Sequence, residues 1–368
     1  MAAVFTRCAS ALKPEGRLVI VFANKQPNAW ETLVSAIIRA GFTVDGSWPI
    51  QTEMGNRTRA IGAAALASSV WLVCKKRPEN ARPGWDNAVL EEMRANIATK
   101  LRDFWDAGIR GPDFVWAATG PALEAYSKHP VVRKADQPNA TMSVGEFLTH
   151  VRRMVVDYVV GQVLGGSQSE GGEAAASTLD GVTAYYLLHR NDFGLEDAPV
   201  GACILYATAC GLSDTALERT WDVLVKSGSG VSPLDDAAEN GGDAASTLGD
   251  DEAESGSAGQ QIRLKAWSHR HGKSLGYEAP SAKTIPLIDR IHRLMHLWKQ
   301  GEVHKVDEYL DASALRKNEL FKRVVQSLIE LSESSERSIL ESISNHVGAR
   351  GIRADVDQLK MGFAKEGT

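Results

Sequence analysis

Only four cysteines, Cys8, Cys74, Cys203 and Cys210, occur in the 368 residues, and none form a C-x-x-C pair. A chain of this length can bury a core without disulfide staples, so the expected setting is a reducing cytoplasm. No apolar run approaches the ~20 residues needed to span a bilayer. The short apolar run near the N-terminus follows Pro14, Glu15 and Gly16 and does not read as a signal peptide. Neither phosphate cradle is present, G-x-x-x-x-G-K-S/T or G-x-G-x-x-G between strand and helix. A G-x-S-x-G nucleophile elbow is missing too, and so is any Asp/Asn-Pro-Pro-Tyr tetrapeptide. These absences leave no catalytic or cofactor-binding residue to name.

Charge is not scarce but is unevenly spread. The net charge of −5 argues against nucleic-acid binding by the chain as a whole. Yet Ser227 to Gln260 holds eight Asp or Glu and no Lys or Arg, and Gln261 to Lys299 holds eight Lys or Arg against two acids. In that basic segment Arg263, Lys265, Arg270, Lys273, Lys283, Arg290, Arg293 and Lys299 are interleaved with Trp267, Tyr277 and Trp298. Cations beside aromatics suit phosphate contact and base stacking, and equally suit an ordinary solvated surface. His292 and His296 lie four apart on one helix, a metal-ligand spacing. No Glu follows His292 and no third ligand is evident, so they read as partly exposed helix residues and no metal is expected.

What the chain does contain is an α/β opening followed by helices. After a short helix at Val4 to Leu12, Leu18 to Ala23 reads as a strand apolar on both faces, the pattern of a helix-covered parallel sheet. Ligands bind beyond the carboxyl ends of such strands, where Asn24 and Lys25 fall. Trp30, Leu33, Val34, Ile37 and Ile38 give Pro27 to Ala40 a helical stripe that Gly41 caps. Strands are expected at Phe42 to Ile50, bent at Gly46, and at Ser68 to Cys74. With no helical period between them, these two should pair antiparallel. Trp30 and Trp48 read as core, and Arg57 and Arg59 as exposed loop residues.

Beyond Trp85 the expected helices are 87–107, 121–128, 144–164, 181–188, 199–209, 214–225, 284–300, 302–310, 314–332 and 335–347. Asp311 and Ser313 are read as caps. Gly/Ser-rich breaks fall at 165–177 and 227–260, the second too poor in bulky apolar residues to order. The expected organisation is a unit at 1–78, a helical region at 85–226, an acidic linker at 227–260 and a C-terminal helical region at 261–350.

One resemblance covers most of residues 1–350 outside the two breaks and is most specific in the first 78. It is carried by the successive phrases Leu12-Lys-Pro-Glu-Gly-Arg-Leu-Val-Ile-Val-Phe22, Ala29-Trp-Glu-Thr-Leu-Val34, Ala40-Gly-Phe-Thr-Val44, Ser47-Trp-Pro-Ile-Gln-Thr-Glu53 and Ala65-Leu-Ala-Ser-Ser-Val-Trp-Leu-Val-Cys74. Further on, Ala122-Leu-Glu-Ala-Tyr126, Leu187-Leu-His-Arg190, Ile288-Asp-Arg-Ile-His292 and Leu328-Ile-Glu-Leu331 extend it. Together these resemble the large adenine-specific DNA methylases, amino-group DNA methyltransferases often found in anti-phage loci.

The resemblance implies that residues 1–78 are the closing third of a Rossmann-like catalytic domain, with Met1 inside the helix between its fourth and fifth strands. It implies S-adenosylmethionine as cofactor of the complete enzyme, bound on a glycine-rich turn that this chain lacks. The family's catalytic tetrapeptide, which stacks on the flipped base, is missing as well. By this resemblance the chain is a C-terminal portion, whether split subunit, truncated product or fragment, inactive and cofactor-free alone. Asn24 and Lys25 would rim the active site, and Arg57, Arg59, Arg263, Lys265, Arg270, Lys273 and Arg293 would contact DNA. Its partners would be DNA and, if the gene is split, the N-terminal methylase portion. The alternatives are a non-catalytic helical module that binds a partner subunit or DNA, and a defective product with an open sheet edge.

Overall fold

A computed structural model describes residues 1–24, 27–51, 68–137, 139–164, 178–227, 261–270, 284–333 and 335–348. The N-terminal part runs α1 (Ala2–Ala11), β1 (Arg17–Phe22), α2 (Pro27–Arg39), β2 (Phe42–Gln51) and β3 (Ser68–Lys76). The three strands form one sheet ordered β1-β3-β2, with β3 antiparallel to both neighbours. Leu18 stands opposite Cys74 and Phe22 opposite Val70, while Trp48 stands opposite Trp71. The expected pairing of β2 with β3 is present, and the bend is a register shift between Val44 and Gly46. Gly41 has φ +82°, the left-handed conformation that ends α2.

Strand β1 pairs with antiparallel β3. One expectation for it needs correcting, since it is not covered on both faces: Leu18, Ile20 and Phe22 pack toward the core, while Val19 and Val21 face outward. The reason is the distribution of helices. The inner face meets α2, whose Trp30, Leu33, Val34 and Ile37 are buried with Phe42, Val44, Val70 and Leu72. No described helix lies over the outer face, so Trp48, read as core, is exposed.

The helical part comprises β4 (Gly84–Trp85), α3 (Asp86–Asp106), α4 (Gly111–Ser127), β5 (Val132–Arg133), α5 (Val144–Val163), α6 (Gly181–Phe193), β6 (Ala198–Pro199) and α7 (Val200–Ala209). It continues with β7 (Leu224–Ser227), β8 (Gln261–Leu264), α8 (Leu287–Lys299), α9 (Val303–Ala312), α10 (Glu319–Leu331) and α11 (335–348). Caps explain several starts. Ser143 and Glu146 form a reciprocal capping box on α5, and Asp180 accepts from Thr183 N at 2.8 Å on α6. Ser313 is the C-terminal cap residue of α9, Asp311 lies inside that helix, and Asn318 caps the start of α10, accepting from Phe321 N.

The expected helix at 214–225 is instead a π turn at Ala216–Thr220 followed by β7. Strand β7 pairs with β8, giving a second antiparallel sheet ordered β6-β8-β7. Helix α4 also begins ten residues before the predicted 121, because Pro121 sits inside it.

The architecture is therefore mixed α/β with small, mostly antiparallel sheets and a helical C-terminal region. Among the described residues the one parallel pairing is the two-residue contact of β4 with β5. One hydrophobic core runs from Trp30 to Val347. Helix α4 is fixed to the first sheet by hydrogen bonds: Val44 N donates to Ser127 Oγ at 2.9 Å, and Thr43 Oγ1 donates to Ser127 O at 3.3 Å. At Gly120 the approach is so close that a Cβ would lie 1.6 Å from Ser47 Oγ. No described helix is long and apolar enough to cross a membrane.

Candidate functional site

The carboxyl end of β1 is organised around Trp30. Its indole Nε1 donates to Asn24 O at 3.0 Å, fixing the backbone just past the strand. The ring stacks on Trp116 of α4, centroids 4.5 Å apart, and meets the edge of Phe22 at 5.0 Å. Trp116 Nε1 is buried with no hydrogen-bond partner. The next residue, Glu31, rests against the bare Cα of Gly145, where a Cβ would lie 1.6 Å from its Oε1. Arg152 of α5 is 7% exposed, and burial lowers its pKa against the opposing pull of Glu31. Of the two predicted rim residues, Asn24 therefore sits beside this cluster, and Lys25 lies outside the described residues. Sequence reading passed over Glu31, Gly145 and Arg152. The visible signal was an arginine inside the apolar stripe Val144, Phe147, Leu148, Val151 and Val155.

The structure separates the predicted DNA contacts. Arg57, Arg59 and Lys273 lie outside the described residues. Arg263 on β8 is exposed, whereas Lys265 is ion-paired with Asp222. Arg293 is half-buried. Arg270 is fully buried, so assigning it to DNA is incorrect. Its Nε donates to Asp222 O at 3.0 Å and its Nη2 to Trp221 O at 2.9 Å and to Asp289. Its Nη1 meets His292 Nδ1 at 2.7 Å. Arg270 thus cross-links the end of the π turn to α8.

His292, read as partly exposed, is fully buried in the same cluster, with its ring edge-on to Tyr186. Burial first and the Arg270 charge second hold its pKa well below the usual histidine value, which leaves Nδ1 free to accept. Burial pushes Asp289 up to about 7, although Arg270 pulls it down. Because the carboxylate lies directly on the guanidinium, we regard the paired, charged form as the resident one near neutral pH.

Other reactive side chains are used as packing. His189 approaches Tyr185 Oη at 3.2 Å and Cys203 Sγ at 3.9 Å, and burial lowers its pKa to about 4. Burial likewise pushes the Cys74, Cys203 and Cys210 thiols up to about 12, far from a reactive thiolate. Among the described residues no three His, Cys, Asp or Glu could hold a metal ion. A pocket among α3, α4, α5, α6 and α7 is lined by Trp105, Phe114, Val155, Val159 and Leu188, with Asp192 and Tyr206 bonded to each other within it.

No family model matches the chain, and neither a curated protein nor a solved structure matches it.

Proposed function

We propose that this chain is the C-terminal part of an S-adenosylmethionine-dependent DNA adenine methyltransferase, completing the catalytic fold and contributing DNA contact. The observation that carries the reading is the strand arrangement. The order β1-β3-β2, with β3 antiparallel to both neighbours, is compatible with the closing third of a Rossmann-like sheet. The resemblance already assigned these three segments to that part of the fold. Asn24 then lies at the rim of a base-flipping pocket, with the Trp30–Trp116 stack behind it.

The cofactor does not fit this chain alone. Among the described residues the first sheet has one strand-to-helix connection, between Phe22 and Pro27, and its sequence contains no glycine and so no phosphate-like cradle. S-adenosylmethionine belongs to the complete enzyme, and no catalytic step is assigned to residues of this chain. The burial of His189, His292 and Cys203 favours the competing reading of a non-catalytic helical interaction module.

The test is methyl transfer to adenine in duplex DNA by this chain together with the polypeptide encoded directly upstream. Transfer by the pair and none by either alone is expected. Absence of transfer by a stable, folded pair would favour the interaction module. Activity of this chain alone, abolished by a substitution within it, would refute the division of labour.

A further inference from the structure

Helices α6, α8 and α11 enclose a cluster in which several polar atoms have no answer. Tyr186 and His292 are fully buried and Arg190 is 5% exposed. Among the described residues, Tyr186 Oη, Arg190 Nε and Nη1, and His292 Nε2 are buried with no hydrogen-bond partner. Arg190 spends only Nη2, which donates to Glu336 at 2.6 Å. Tyr186 lies one helical turn before Arg190, its ring meets His292 edge-on at 5.2 Å, and the Arg190 charge is felt at both. Buried polar groups are rarely left unpaired, and several in one place call for a bound species.

Every one of these atoms carries a hydrogen to donate. Arginine has donors alone, so His292 Nδ1, 2.7 Å from Arg270 Nη1, must accept. The ring, held neutral by burial, then carries its one hydrogen on Nε2. A water would satisfy some of these donors but brings two hydrogens of its own, and the orphaned atoms include no carboxylate oxygen to receive them. A species that accepts and never donates suits the set better. The enclosure sets its size: with the Tyr186 and His292 rings in contact, a single atom is favoured over a tetrahedral oxyanion.

The geometry points to a buried site for a monatomic anion of the halide class, held between α6 and α8 by Tyr186, Arg190 and His292. Chloride is the abundant member of that class. Its role is to fasten α6, α8 and, through Arg190 and Glu336, α11 into one unit, independently of any methyl transfer. Two ion pairs, Arg190–Glu336 and Arg270–Asp289, already balance the cluster, so the anion adds a negative charge. Glu336 is placed to take up a compensating proton, because burial raises its pKa against the pull of Arg190. Facing Glu336 are Tyr186 and Arg190 from α6 and Ser332 and Glu333 from the turn before α11, with Arg270, Asp289 and His292 beyond. Chloride should therefore bind more tightly as pH falls.

The experiment unfolds the full chain by heat at fixed ionic strength, with chloride exchanged against gluconate, which is too large for the site. Chloride should raise the midpoint with the logarithm of its concentration above the dissociation constant. Crystals grown in bromide should give an anomalous scattering peak within hydrogen-bond reach of Tyr186 Oη and His292 Nε2. Tyr186→Phe removes one O–H and keeps the ring, so the fold should persist, checked by circular dichroism in gluconate. It should raise the half-saturating chloride concentration about tenfold, the loss of one hydrogen bond to a charged group. Arg190→Lys, which keeps the charge but loses the fork, should raise it further. Equal midpoints in chloride and gluconate would overturn the inference. So would a chloride effect unchanged in both variants, equal protection by sulfate, or bromide crystals with only water at this point.

Discussion

In the first sheet, Val19, Val21, Trp48 and Trp71 face outward, whereas in the helical region Arg270, Asp289, His292 and Arg190 lie inside. One region leaves apolar surface unburied, and the other spends burial on charge. Each inversion has its own logic. The exposed face costs little while the chain is alone, because its side chains touch few neighbours. Arg270 is answered by Asp289 and His292, and Arg190 Nη2 by Glu336, although Arg190 Nε and Nη1 and His292 Nε2 are buried without a hydrogen-bond partner among the described residues. The contrast separates apolar surface left open from charge that the interior pairs.

Four measurements would break or sharpen this contrast. The largest effect is expected from Arg270→Met, which strands Asp289 and the Trp221 and Asp222 carbonyls. A loss of about 3–5 kcal/mol in denaturant unfolding is expected, as for other broken buried pairs. A loss under ~1 kcal/mol would mean the cluster is incidental. Next is the seam between the regions. Gly120→Ala drives a methyl group into Ser47 and should cost about 1–3 kcal/mol by overpacking. Gly108→Ala, at an open left-handed turn position, should cost less, and the reverse order would place the tight contact elsewhere.

A third effect is pH-dependent. His189 is held neutral in the fold, its pKa lowered from 6.5 to about 4 by burial first and the Arg190 charge second. The unfolded chain therefore binds a proton that the native chain refuses. Stability present above pH 6.5 should be lost as pH falls toward 4, by at most about 1.4 kcal/mol per pH unit from this group. Asp289, raised by burial, contributes in the opposite direction over part of that range, so slopes must be compared. His189→Gln should flatten the acid limb of the stability–pH curve relative to the parent, and an unchanged slope would show that the ring is protonated in the fold. The smallest effect is expected from Trp48→Ser on the outer face of the sheet. Stability should move by no more than about 0.5 kcal/mol, as at surface positions generally. A loss near that of a core tryptophan would mean the outer face is not open.

Much of this was legible locally. The apolar stripe of α2, its stop at Gly41 and the β2–β3 pairing follow from spacing within a few tens of residues. Ser143 with Glu146 announces α5 by a capping signal that depends on no distant contact. What escaped depends on partners remote in sequence. Strand β7 is defined by β8, on the far side of residues 228–260, so Leu224 and Val225 read as the end of a helix. Arg270 looked like surface because a cation among cations is usually solvated. Asp289 and His292, brought over it by α8, and the Trp221 and Asp222 carbonyls make its burial tolerable. Trp48 failed in the opposite direction, since its inward or outward sense turns on one register shift at Gly46. For the candidate site, the chain could be read for what it lacks, but the meeting of Asn24, Trp30, Glu31 and Arg152 could not.

Arg77, at the end of β3, has a mechanical consequence. Its guanidinium donates to Ile38 O at 3.0 Å and to Ser127 O and His129 O at 3.3 Å. Ile38 belongs to the last turn of α2 and Ser127 to the last turn of α4, so the negative poles of two helices converge on one cation. A displacement of the sheet would be passed through β3 to both helix ends at once. Arg77 is the rivet of that linkage. A lysine there, with a point charge instead of a fork, would hold one helix end and release the other.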